Sequence, residues 1–226
     1  TGLVAIEVGS ERKEYTVHKD LLTHYSEYFA RALDGPWKEA EDKKVRLEDI
    51  EPETFDIFSI ANPNDIRIEL LKPLAFNGSA QSLPEEDYDF ICIQLLNALA
   101  FGDRFHVASF KVALVHILVS LIIEFLPPTF RIIIHAFDVL SDSSPVLDLL
   151  VNAHCACWCE KTAMESDFEM LPELPIEFIR RVFKRQGARN LEQKGAGKFK
   201  HCDYHQHATE DERLQCNWKN QTGEPL

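Results

Sequence analysis

Between Tyr15 and Leu33 the sequence reads YTVHKDLLTHYSEYFARAL, and its hydrophobic period changes twice before a turn ends it. Tyr15 and Val17 alternate with Thr16, as a half-buried strand requires, whereas Leu21, Leu22 and Tyr25 recur at the spacing of one helix face. Ser26 offers a hydroxyl to the free backbone amides of a second helix, whose Phe29, Ala30 and Leu33 recur at three and four. Asp34-Gly35-Pro36 then stops it. A strand running straight into two short helices exposes two apolar stripes that other elements must cover. This stretch is therefore scaffold rather than catalytic loop.

The flanking sequence supplies those elements. Leu3 to Val8 alternates as a strand, Gly9 to Lys13 carries turn residues, and Glu14 to Val17 returns as the hairpin partner. Lys44 to Leu47 predicts a third strand, and Pro52 opens a helix bearing Phe55, Ile57 and Phe58. From Ser59 to Asp87 no long periodic element fits, since Pro63, Pro73, Pro84 and Gly78-Ser79 interrupt the text. Tyr88 to Phe101 is helical in period, with Gly102 placed as its stop, and the run Val107–Leu126 predicts a buried helix. Lys111, His116 and Glu124 interrupt that run, so it does not predict a membrane span. Beyond Pro127-Pro128, helices are expected over Thr129–Leu140, from Ser143-Ser144-Pro145 to roughly Cys159, and from Pro175 to just before Gly187. A flexible polar tail is expected from there.

Composition narrows the class. The 226 residues are 45% hydrophobic and 27% charged, enough for a sizeable core, and the formal net charge is −13. Such an acidic balance makes nucleic acid an unfavoured partner. The six cysteines, at 92, 155, 157, 159, 202 and 216, are spread too unevenly for a disulfide framework, which points to a reducing intracellular setting. The sequons at Asn77 and Asn220 are then accidental. The chain opens at Thr1 in a strand-like run, and we expect natural sequence before it.

Val17-His18-Lys19, Leu21-Leu22 and Ser26-x-x-Phe29 together resemble the central motif of BTB/POZ domains, roughly V-H-K-x-x-L-x-x-x-S-x-x-F. The similarity continues through Trp37-Lys38-Glu39-Ala40-Glu41, Val45-Arg46-Leu47 and Pro52-Glu53-Thr54-Phe55. Phe101-Gly102-Asp103-Arg104-Phe105 and Phe137-Asp138-Val139-Leu140 look like the fungal branch of that family. The resemblance covers most of residues 3 to 187 and implies an α+β, BTB/POZ-like fold: a small three-stranded sheet flanked by helices, with an added C-terminal helical segment. The expected domains are 1–126 for the BTB/POZ-like part, with a divergent or inserted segment 59–87, then a helical extension 127–187 and a polar tail 188–226. The resemblance implies a protein–protein interaction module acting by self-association or partner recruitment, without catalysis. Protein partners are expected, including a homodimer or, in an adaptor role, the cullin scaffold of a ubiquitin ligase. The helix and strand that relatives exchange across a dimer would lie before Thr1.

Each chemical candidate has a plainer structural reading. His18 sits at the strand-to-helix junction, where a packed, hydrogen-bonded ring is expected rather than a base. No serine lies in a G-x-S-x-G elbow, and Gly195-Ala196-Gly197-Lys198 lacks the first glycine and the final hydroxyl of a phosphate loop. On a helix Cys155 and Cys159 share a face while Cys157 points away, so with His154 they suit buried thiols better than a closed metal site. Cys202-x-x-His205-x-His207 followed by Cys216 has zinc ligand types at short range, but its second half lacks a paired spacing, and an unmetallated tail is favoured. Arg180, Arg181, Lys184, Arg185 and Arg189, then Lys194, Lys198 and Lys200, form the one basic block and suit a solvated helix end. We therefore assign no catalytic, cofactor-binding or metal residue. The rival of another class is a zinc-binding regulator touching nucleic acid through the basic block and the Cys/His tail. Metal analysis separates the two: the interaction module is expected to carry no stoichiometric zinc, and zinc lost on deleting residues 188–226 would favour the rival.

Overall fold

The computed structural model describes residues 2–59, 84–125, 128–157 and 165–192. The chain divides into two compact units, Thr1–Phe183 and Lys184–Leu226, and the described part of the second is the end of one helix. In the first unit, β1 (Leu3–Val8) pairs antiparallel with β2 (Lys13–His18) and parallel with β3 (Lys44–Leu47), giving the order β2-β1-β3. Register follows from the alternation. Ile6 lies opposite both Tyr15 and Val45, so Val4, Ile6, Val8, Val45 and Leu47 form one buried face. The outer face carries Glu7, which Lys44 Nζ approaches at 2.5 Å and Arg46 Nε at 2.8 Å. The hydrogen bond from Lys44, with help from Arg46, holds the Glu7 carboxyl below its ordinary pKa.

The strand runs into α1 (Lys19–Tyr25) and then α2 (Glu27–Asp34) without a linker, as the change of period predicts. Ser26, 1% exposed, performs two tasks. Its Oγ accepts the Phe29 amide at 3.1 Å as the cap of α2 and donates to the Phe105 carbonyl at 2.6 Å, 79 residues away. Around it the Phe29 and Phe105 rings stack at 5.5 Å, Phe101 meets Phe105 at 4.4 Å, and Phe58 bridges to Phe101 at 5.0 Å. These rings join the helix pair to α4 (Pro52–Ser59) and α5 (Glu85–Arg104).

The remaining helices are α6 (Ala108–Phe125), α7 (Phe130–Val139), α8 (Pro145–Cys157), α9 (Glu165–Met170) and α10 (Ile176–Glu192). A 3₁₀ turn, Leu171–Glu173, precedes α10. Residues of α5 to α8, with Phe178 of α10, share one continuous core with the sheet. Thr129 caps α7 by accepting from the Ile132 amide, and its hydroxyl donates to Asp89 Oδ1 on α5 at 2.6 Å. No helix among the described residues is long and apolar enough to cross a membrane.

Several expectations are corrected. Gly102 does not stop α5, which runs on to Arg104. A Cβ at Gly102 would lie 2.6 Å from Lys111 Cγ, so the glycine permits the close approach of α6 instead. Helix α10 continues through Gly187 to Glu192, placing helix where the start of the polar tail was expected. The short helix α3 (Lys38–Asp42), closed by Lys43 at φ 49°, and α9 had no apolar period to announce them. His18 is exposed and makes no side-chain cap, so its ring is not the packed, hydrogen-bonded group expected. Most of the Ser59–Asp87 interval lies outside the described residues.

The double role of Ser26 makes a quantitative prediction. Ser26→Ala removes a helix cap and strands a buried carbonyl, and should cost roughly 2 kcal/mol or more. Chemical denaturation would show it as a lower midpoint with an unchanged slope.

Candidate interaction surfaces

The outer face of α6 departs most from the sequence expectation of a buried helix. Phe110, Leu114, Ile117, Leu118, Leu121 and Ile122 fill the inner face and are buried. The opposite face is also apolar, yet Val112 is 58% exposed and Ile123 is 70% exposed. Between them lie exposed His116 and Ser120, with Val115 and Val119 half-buried. Along one edge runs a groove of about 520 Å³, lined by Leu99, Val112, Val115 and Val146 and by the serines of the segment before α8. Lys111, at its rim, is ion-paired with Asp103 of α5. The chemistry this face offers is burial of greasy surface, with a few hydroxyls at the side.

A second groove of about 520 Å³ lies between α5, α7 and the segment before α10, lined by Ile93, Ile134 and Met170 with Arg131, Asp138 and Glu173. His135, on its wall, bonds Asn97 Oδ1 through Nε2 at 2.7 Å. Burial lowers the His135 pKa, with Asp138 opposing, so the folded chain favours the neutral ring. Among the described residues that line it, no nucleophile is paired with a base.

Helix α10 presents a ridge of another kind. Ile176 is 62% exposed and Phe183 is 75% exposed, with exposed Arg180 between them and exposed Lys184 and Arg185 beyond. Arg181 departs from the solvated helix end expected of the basic block. It bonds Asp148 Oδ1 at 3.0 Å and the Asp142 carbonyl at 2.7 Å, bonds Glu177 at 3.1 Å, and lies over the Phe137 ring. This side chain pins α10 to α8 and to the residues before it. Sequence reading had the cation in view but not Asp142, Asp148 and Phe137, which lie more than 30 positions away.

The remaining candidates are chemically quiet. Cys155 is buried, as expected of a small apolar side chain, and Cys92 is a second buried thiol. Burial pushes the Cys92 pKa up to about 12, which keeps it protonated and a poor nucleophile. Among the described residues no group of His, Cys, Asp and Glu is placed to hold a metal. The Cys157 side chain, Cys159 and the segment with Cys202, His205, His207 and Cys216 lie outside those residues, as do the Arg189 side chain, Gly195-Ala196-Gly197-Lys198 and Lys194 and Lys200.

The His135 environment sets a pH dependence. Because the folded pKa lies below the ordinary value of 6.5, the stability it contributes is complete above that value and is lost as pH falls toward the folded pKa. Thermal midpoints of wild type and His135→Gln, compared between pH 7.5 and 5, should therefore converge as the pH falls. Parallel profiles would refute the assignment.

The surfaces formed by the described residues offer apolar faces and ion pairs. No curated protein matches this chain. The family model described as BTB/POZ domain matches residues 4–58, from the sheet through α1 and α2 to the end of α4. With its three-stranded mixed sheet, paired helices and additional C-terminal helices, the chain has an α+β, BTB/POZ-like fold.

Proposed function

We propose that this chain is a protein–protein interaction module whose output is contact with another polypeptide, by self-association or partner recruitment. The observation that carries the reading is the outer face of α6, where Val112 and Ile123 stay exposed on a helix already buried along its other side. Exposed valine and isoleucine on one side of a mostly apolar helix favour a covered state over a solvated one. The match to the BTB/POZ model over residues 4–58 supports the same class, since such domains are generally interaction modules. Recruitment of a cullin scaffold is the narrower form of this reading, tested by direct binding to a cullin N-terminal domain.

The broader reading is tested by affinity capture and by self-association measured on the same protein. Val112→Asp or Phe183→Asp, both at exposed positions, should leave the fold intact. At least one should weaken a specific polypeptide contact by about tenfold or more, as loss of an apolar anchor does. If neither self-association nor any retained polypeptide responds to substitution on these faces, the proposal fails.

A further inference from the structure

We infer that Ser144 is a phosphoacceptor for a proline-directed protein kinase, and that its phosphate charges the groove between α6 and the start of α8. The first observation is in the sequence. Of the 11 prolines in the chain, only Pro145 follows a serine or threonine. A kinase that reads a hydroxyl residue followed by proline therefore has one address here. Proline also disfavours helical backbone at the residue ahead of it, which keeps Ser144 in the extended form that such an active site takes. Presentation is the second observation. Ser141, Asp142, Ser143 and Pro145 are exposed and Ser144 is half-buried, in the short connection between α7 and α8. The Ser144 amide donates to the Ser141 carbonyl at 2.8 Å, and Arg181 holds the Asp142 carbonyl at 2.7 Å, so the turn is fixed through its backbone. Ser26 and Thr129, at the same place ahead of α2 and α7, each use the hydroxyl both to cap the helix and to reach a distant acceptor. The Ser144 hydroxyl, by contrast, makes no hydrogen bond among the described residues.

The third observation is what the phosphate would meet. Ser144 lines the groove of about 520 Å³ together with Lys111, His116, Asp103 and Val112. Arg181 is already shared among Glu177, Asp148 and the Asp142 carbonyl, whereas Lys111 is held by Asp103 alone. Lys111 and His116 are thus the basic groups left to face a dianion on Ser144, with Asp103 and the neighbouring Asp142 opposing. In the transfer, Ser144 Oγ attacks the γ-phosphorus of ATP and the bond from that phosphorus to the β-phosphate oxygen breaks. ADP leaves, and the hydroxyl proton passes to the base of the kinase. The new dianion draws Lys111 from Asp103 and sets negative charge beside exposed Val112. Weaker docking of an apolar partner on the modified face rests on the interaction-module reading; the phosphate site itself does not.

The single Ser-Pro pair makes the test specific. The full chain is incubated with ATP and a purified proline-directed kinase, and phosphate is mapped by peptide mass spectrometry. One phosphate is expected, on Ser144. Ser144→Ala should take none while keeping the circular dichroism and thermal midpoint close to wild type, because the hydroxyl it loses has no partner. Phosphate on Ser144 only after heat denaturation, on other residues instead, or on neither the native nor the denatured chain overturns the site. The groove contact has its own readout in phosphorus NMR titrations. The second phosphate ionisation, ordinarily at about pH 6, should come at lower pH in phosphorylated wild type than in phosphorylated Lys111→Gln, because a neighbouring cation favours the dianion. Lys111→Arg, which keeps the charge, should titrate as wild type. Equal titrations for wild type and Lys111→Gln overturn the groove contact and leave a modified turn without that effect. Polypeptide binding, judged by the Val112→Asp comparison, is read separately, so a failed phosphate site and a failed interaction module are distinct results.

Discussion

One buried oxygen holds the two ends of the N-terminal architecture together. Ser26 Oγ closes the first turn of α2 and reaches the carbonyl of Phe105 beyond the end of α5. At 1% exposure neither bond can be exchanged for water, so the amide and the carbonyl depend on that hydroxyl. The phenyl rings of Phe29, Phe101 and Phe105 close around it, and α5 in turn supports α6 and α7. A helix cap that is also a tertiary clasp explains why a strand and two short helices, each marginal alone, have one arrangement.

The parts of this fold readable from the sequence are those governed by local period. The hairpin, α1, α2, β3 and α4 follow from alternation in Tyr15–Val17 and from three-and-four spacing around Leu22 and Phe29. Caps at Ser26 and Thr129 were visible for the same reason, as hydroxyls just ahead of apolar helical text. What escaped is set by distant neighbours. Gly102 looks like punctuation but marks where two helices come close, and Arg181 looks like one more surface cation until Asp148 and Phe137 are brought to it. Helix α3 has only polar residues and alanine, so no period could reveal it. The α6 face shows a subtler failure. A run with one wide apolar face, interrupted by Lys111, His116 and Glu124, reads as a buried helix, whereas Val112 and Ile123 on its other side stay exposed.

Charge is sorted across the surface rather than spread. The outer sheet face sets Glu7 between Lys44 and Arg46, so its charges are largely satisfied internally. Helix α10 gathers exposed cations beside Ile176 and Phe183, whereas α6 exposes Val112, His116, Ser120 and Ile123, with Lys111 ion-paired to Asp103.

Phe55 and Phe58 of α4 pack against Phe101 of α5, so the two helices are held together by their own side chains. The family match ends at residue 58, and this ring contact joins the matched part of the chain to the helices that follow. A change of ring size at Phe101 would therefore be felt on both sides of that boundary at once.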